Sequence, residues 1–305
     1  MLRSLTKSLL LLSSLAAFSL GGLLSQAQAG LTLYGSAFSS DFFDPNHNLS
    51  TLYQINEVSG SATAIGSIGF RIVGGIDFDS AGTLYGVGET FDNPPNGIPP
   101  VGTLSLITIN RTTGAGTAVA ALTLGGNPLS TSFQDISFRN GDGQLHAYSS
   151  GDLYTINKVT GAVSLVGPTG EAEIGGGMAF TAADTLLKTG FDHLFSLDQS
   201  TGNGTPLVQM TYPTGGTPNV TGMDFDAATG VLWAAVHTDA SSNSPTYLAT
   251  IDTLTGLVTK IGDSVIGLTA LAAIPEPSTY GLLAGFALVG VGMVSAARRK
   301  KAIAA

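Results

Sequence analysis

Carboxylates set beside aromatic rings are the residues of this chain whose types and spacing could do chemistry. Asp41-Phe42-Phe43-Asp44, Glu89 followed by Phe91-Asp92, Asp192-His193, Tyr212 and Asp239 fall in long, irregular segments. A ring can lie on an apolar sugar face, and a carboxylate next to it can accept hydroxyls or hold a hard cation. Phe42, Phe43, Phe91, Asp92, Tyr212 and Asp239 are therefore the candidate binding residues. Asp41, Asp44, Glu89, Glu171, Glu173, Asp192 and Asp263 surround them, with Arg71 as the one base in the set. The same residues also read as the solvated acidic rim of an exported protein. No cofactor is expected, and Ca²⁺ is the ion such a rim would attract.

Other chemical patterns fail at definite positions. Asp77-Phe78-Asp79-Ser80-Ala81-Gly82 opens like a calcium loop and Asp224-Phe225-Asp226 echoes it, but the fifth and twelfth ligand places are Ala81 and Gly88. Neither has a side-chain oxygen, and the twelfth place requires a bidentate Glu, so no metal is assigned and these stretches are expected to be strand ends and turns. His47, His193 and His237 sit on separate segments. There is no glycine-rich phosphate loop, no G-x-S-x-G elbow and no H-E-x-x-H pair. Cysteine is absent, which excludes disulfides and thiolate sites.

A repeated phrase is what must position these residues. LYQINEVSG (52–60), LITINRTTG (106–114), LYTINKVTG (153–161), LFSLDQSTG (194–202) and LATIDTLTG (248–256) share Leu first, Asn or Asp fifth, Ser or Thr eighth and Gly ninth. Each reads as a strand that ends in a tight turn capped by the Asn or Asp and closed by the Gly. A second strand follows, as in SATAIG (61–66). A third recurs as GGIDFD (74–79), QDISF (134–138), GGMAF (176–180), TGMDFD (221–226) and IGLTAL (266–271). A fourth recurs as TLYGVG (83–88), QLHAYS (144–149), TLLKTG (185–190) and VLWAAVH (231–237). The last repeat has no fourth strand, and LTLYGSA (31–37) has no repeat of its own.

These facts predict an all-β fold, a five-bladed β-propeller closed by the N-terminal strand, with Leu31–Ala37 in one sheet with Ile266–Leu271. The phrase resembles repeats of bacterial surface propellers. In the fourth-strand column Tyr34, Tyr85, His146, Leu187 and Trp233 align, so His146 is expected to pack between blades rather than bind a ligand. Alternating strand direction puts all the long segments (38–50, 88–103, 121–133, 209–220, 238–247) at one edge of the sheets and the short turns at the other.

The two ends have their own chemistry. Residues 1–29 read as a signal peptide, with Arg3 and Lys7, an apolar centre and an Ala27-Gln28-Ala29 cleavage site before Gly30. Tyr280–Ala297 is uncharged and long enough to cross a bilayer core as a helix, and Arg298, Arg299, Lys300 and Lys301 hold its end on the cytoplasmic side. With those bases set aside, Arg71, Arg111, Arg139, Lys158, Lys188 and Lys260 face 21 acidic residues, a balance that repels phosphate backbones and excludes nucleic acid as a partner. The repeat domain is read as 30–273 and the C-terminal segment as 274–305.

Pro275-Glu276-Pro277-Ser278-Thr279, the apolar run and the basic tail together resemble the PEP-CTERM sorting signal of bacterial exported proteins. Each proline fixes φ and pushes the residue before it to extended geometry, which suits a cleavage site. The resemblance implies recognition of Pro275, Glu276 and Pro277 by an exosortase-type membrane enzyme. It also implies a temporary inner-membrane anchor, then release to the cell surface or the extracellular polysaccharide. The expected function is a non-enzymatic surface or matrix protein that binds polysaccharide or another surface protein. The alternative is a propeller hydrolase or lyase acting on sugars or lactones, with carboxylates and His193 or His237 at the channel mouth.

Overall fold

The structure is a computed structural model that describes residues 31–38, 49–90, 102–129, 131–170, 176–213, 218–239 and 244–275. Leu31–Ile274 is one compact unit. Its regular elements are strands. Among the described residues no helix is long and apolar enough to cross a membrane. The expected span at 280–297, the signal peptide at 1–29 and Glu276 to Lys301 of the sorting signal lie outside the described residues.

In chain order the strands are β1 (Leu31–Ala37), β2 (Leu49–Ile55), β3 (Ala62–Phe78), β4 (Leu84–Glu89), β5 (Leu104–Ile109), β6 (Gly116–Ala121), β7 (Thr123–Leu124) and β8 (Asn127–Pro128). Then follow β9 (Asp135–Phe138), β10 (Leu145–Ser149), β11 (Asp152–Ile156), β12 (Ala162–Pro168), β13 (Met178–Phe180), β14 (Leu186–Thr189), β15 (His193–Leu197) and β16 (Gly204–Gln209). The last are β17 (Asn219–Asp226), β18 (Val231–His237), β19 (Thr246–Ile251), β20 (Val258–Asp263) and β21 (Leu268–Pro275). They form sheets of order β21-β1-β2-β3-β4-β5-β6, β8-β7-β12-β11-β10-β9, β13-β14-β15-β16 and β17-β18-β19-β20.

The seven-stranded sheet holds two of the repeat's four-strand groups. The first part of β3 pairs with β2 up to Arg71, which also faces Glu89 of β4, and its last part pairs with β4 again from Gly75 onward. Between them the register breaks, and Ile72 takes φ 49°. Separate second and third strands were expected here, and the chain instead runs through as one bent strand. Each group is ordered third, fourth, first and second strand of the repeat, from inside to outside. The inner strands β9 and β13 are wholly buried, whereas the outer strands β6 and β16 expose most of their residues. β21 also runs to Pro275, beyond the expected 266–271, so the first proline of the PEP motif ends a strand. The hairpin β7–β8 is an addition the repeat does not contain, attached to β12 by parallel pairing.

The conserved spacing inside each phrase has a visible cause. Asn56 Oδ1 accepts from the Val58 and Ser59 N–H groups, and Asn110, Asn157, Asp198 and Asp252 accept from the equivalent pairs. These contacts cap the turn with the side chain. Gly256 closes its turn at φ 71°, and a Cβ there would run into the Gln209 carbonyl at the end of β16, the outer strand of the preceding group. Gly60 meets Gly262 of β20 in the same way. The ninth place thus serves both the turn and the contact between groups.

The core lies between groups. Five buried clusters each join neighbours: Leu52 and Ala270 with Ile76 and Leu84, Val87 and Leu106 with Ile136 and Ala147, Tyr148 with Phe180, Leu187 with Met223, and Ala235 with Leu33 and Leu268. The last returns to the first group, so no group lacks a neighbour on either side. Strands covered on both faces read as continuous apolar runs, as in Leu232–Val236. β1 lies between β21 and β2, as ring closure by the N-terminal strand requires.

Candidate functional site

An inner strand has one edge with no strand beside it, and its buried N–H groups on that edge need other acceptors. Two aspartates and one serine meet this need along a single level. Asp77 accepts from its neighbour Phe78 at 2.6 Å through Oδ1 and from Phe138 of the next group at 2.6 Å through Oδ2. Ser137 Oγ accepts from Phe180 at 3.2 Å. Asp224 accepts from Phe225 at 2.7 Å and from Ala273 at 2.7 Å. The N–H groups of Phe78, Phe138, Phe180, Phe225 and Ala273, one per group, are all paired this way. Ala179 and Ala272 hold the equivalent place in the two groups that contribute no acceptor, and there the next group's aspartate serves its own strand.

Asp135 does the same work one level along. Its Oδ1 accepts from Ile136 at 2.9 Å, and its Oδ2 from Met178 at 2.8 Å and Met223 at 3.4 Å, so one carboxyl links β9, β13 and β17. Burial raises the pKa of all three carboxyls. Asp224 rises to about 7; Asp77 is raised further by the charge of Asp224, and Asp135 by that of Asp77. The sequence marks these residues only as parts of third strands, Asp77 and Asp224 within Asp-Phe-Asp and Asp135 at the start of Asp-Ile-Ser-Phe. Asp79 and Asp226 do behave as expected, taking turn N–H groups at Ala81, Thr83 and Ala228.

The fourth-strand column is also inter-group packing. Tyr34, Tyr85 and His146 each meet the next group's inner-strand phenylalanine edge to face, at 5.7 Å from Phe78, 5.3 Å from Phe138 and 5.1 Å from Phe180. Leu187 lies in one cluster with Phe225, and Trp233 in one with Ala273. Burial lowers the pKa of His146 to about 4, so its ring is neutral and packs as the aromatic residues do.

At the edge with the long connections the expected residues fare unequally. Phe42, Phe43, Phe91, Asp92, Asp41, Asp44, Glu171, Glu173 and His47 lie outside the described residues. Asp239 is exposed at the end of β18. Tyr212 is half-buried against the cluster of Met210 and Tyr247, and burial, then Tyr247 and Asp192, push its pKa up. The Met210 N–H donates to the Asp192 carbonyl at 2.6 Å, and the Asp192 side chain holds His193 Nδ1 at 2.7 Å. Arg71 and Glu89 are cross-strand neighbours. Asp263 is drawn instead to Lys260 at 2.6 Å. His237 is buried, with Nε2 at 2.8 Å from the Leu268 carbonyl. Among the described residues no three His, Cys, Asp or Glu side chains meet as a metal would require.

No family model matches the chain, and no curated protein matches it. Solved structures do resemble it in shape. A chain of a nidogen/laminin complex is 12% identical, with 80% of this chain and 98% of that one covered and a TM-score of 0.47. A symmetrical protein from work on de novo evolutionary emergence under folding constraints is also 12% identical, with 79% and 98% covered and a TM-score of 0.45. A protein of unknown function from Bacteroides caccae is 13% identical, with 81% and 100% covered and a TM-score of 0.45.

Proposed function

We propose that this chain is an exported surface or extracellular-matrix protein whose domain is a five-bladed β-propeller serving as a binding or structural module. The observation that carries the fold is the set of five buried clusters, each shared by two consecutive groups of four strands, with β1 set between β21 and β2. The inner strands are tied to each other by Asp77, Ser137, Asp135 and Asp224, which favours a rigid scaffold. Binding then belongs to the long connections, around Asp192, His193, Tyr212 and Asp239, where aromatic and acidic groups suit a polysaccharide or a surface protein. Sorting follows the PEP-CTERM resemblance, with Pro275, Glu276 and Pro277 as the recognition element of an exosortase-type enzyme and 280–297 as the anchor before release.

Two experiments test this reading. Replacing Pro275-Glu276-Pro277 by alanines is expected to abolish C-terminal processing, read as the mass of the mature protein; unchanged release refutes the sorting assignment. Glycan-array binding of residues 30–274, with and without Ca²⁺, is expected to give glycan-selective signals that substitution of Tyr212 weakens. Equal binding by the Tyr212→Ala variant would place the ligand elsewhere.

A further inference from the structure

Both ends of the described unit leave it at the same edge. The Phe38 N–H donates to the Gly267 carbonyl at 3.3 Å, so β1 and β21 run antiparallel and the start of β1 lies beside the end of β21. At that end a methyl group on Gly82, in the turn from β3 to β4, would meet Ile274 Cδ1 at 3.7 Å. The short turns of the repeat belong to this edge too, because antiparallel strands bring first-to-second and third-to-fourth turns to one side. Lys158 in a turn of the first kind reaches Asp79 in one of the second at 3.0 Å.

Three tips at this edge are apolar. The seventh place of the repeat holds Val58, Val159 and Leu254, which are 81%, 75% and 88% exposed. Thr112 and Ser200 occupy it in the other two repeats. One such residue needs no explanation, but three at one structural place, on the edge from which the chain departs, form a pattern. The chain continues from that edge through residues 276–279 into the uncharged run Tyr280–Ala297. Four extended residues reach at most about 14 Å, so a unit tethered to a membrane span there stays within reach of the headgroups.

We propose that the short-turn edge docks on the lipid bilayer through Val58, Val159 and Leu254 and holds the long-connection edge away from it. The inference rests on the reading of 280–297 as a membrane span. Such docking gives the unit a fixed orientation, presents its binding edge outward and keeps the processing strip at the interface.

The chain has no cysteine, so single substitutions carry one label each. Val58→Cys, Val159→Cys, Leu254→Cys, Asp239→Cys and Val289→Cys variants of the full chain, each with an environment-sensitive fluorophore, are reconstituted in phosphatidylcholine vesicles carrying a lipid-borne quencher. The expected result is loss of emission at 58, 159, 254 and 289 and none at 239. Loss at 289 without loss at the three tips overturns docking and leaves the span reading standing. Absence of loss at all five overturns both. Emission at the tips that shifts with protein density in vesicles free of quencher, without quenching when quencher is present, means that a second copy covers this edge and also overturns the proposal.

Discussion

At the residue scale the central groups are the aspartates that pair inner-strand N–H groups. Removing the Asp77 carboxylate strands the N–H groups of Phe78 and Phe138 in a buried place, and each costs about 1–3 kcal/mol. Asp77→Ala is therefore expected to lower the urea midpoint strongly, and Asp77→Asn, which keeps one acceptor oxygen, to lower it less. A midpoint unchanged by Asp77→Ala would mean that these N–H groups find other partners. The same carboxyls set a pH dependence. Asp224, at about 7 when folded, holds a proton that the unfolded chain releases from about pH 4 upward, so its contribution to stability falls as pH rises from about 4 to 7. Asp77 and Asp135 act in the same direction. His146, neutral when folded down to about pH 4, acts oppositely between about 4 and 6.5. Denaturation at pH 5 and pH 8 is expected to show the wild type more stable at pH 5, Asp224→Asn to shrink that difference and His146→Phe to widen it. A larger difference in Asp224→Asn would reverse the sign of the argument.

At the scale of the element, the turn of the repeat does two separate jobs that can be taken apart. Gly256 and Gly230 have φ of 71° and 76°, so alanine at either bears about 1 kcal/mol of backbone strain. Only Gly256 faces the Gln209 carbonyl; nothing lies within 4 Å of a Cβ at Gly230. Gly256→Ala is expected to reduce thermal stability clearly more than Gly230→Ala, and equal losses would remove the inter-group role of the ninth place. The turns, the strand order and the fourth-strand column were legible in the sequence, because local capping and register repeat with the phrase. Asp77, Asp135 and Asp224 were not legible as ties between strands, since what they pair with is an N–H group tens of residues away that becomes an orphan only when the groups stand side by side. The fused strand β3 was hidden for a related reason: Ser67 to Val73 carries no turn signal that distinguishes a bend from a loop except Gly69. The residues of the long-connection edge were legible as composition only. Tyr212 turned out half-buried, His237 wholly so, and Asp263 engaged by Lys260, outcomes decided by packing that a one-dimensional pattern does not encode.

At the scale of the whole molecule, the strand that follows the expected signal-peptide site completes the group to which the end of the domain belongs. This arrangement ties residues 31–37 to residues 268–275 and makes the folded unit depend on both of its ends. It also sends both ends of the described unit out at the edge that carries the short turns. A truncation that begins after Ala37 is expected to lose cooperative unfolding, because β21 and β2 would each have an unpaired edge and the cluster of Leu33 with Trp233 and Leu268 would be opened. The most direct test is amide hydrogen exchange followed by mass spectrometry on the peptide covering Leu31–Ala37. Ring closure predicts protection comparable to that of β18, at Val231–His237, because β1 has a strand on each side. Exchange within seconds, at the rate of an unstructured terminus, would contradict it.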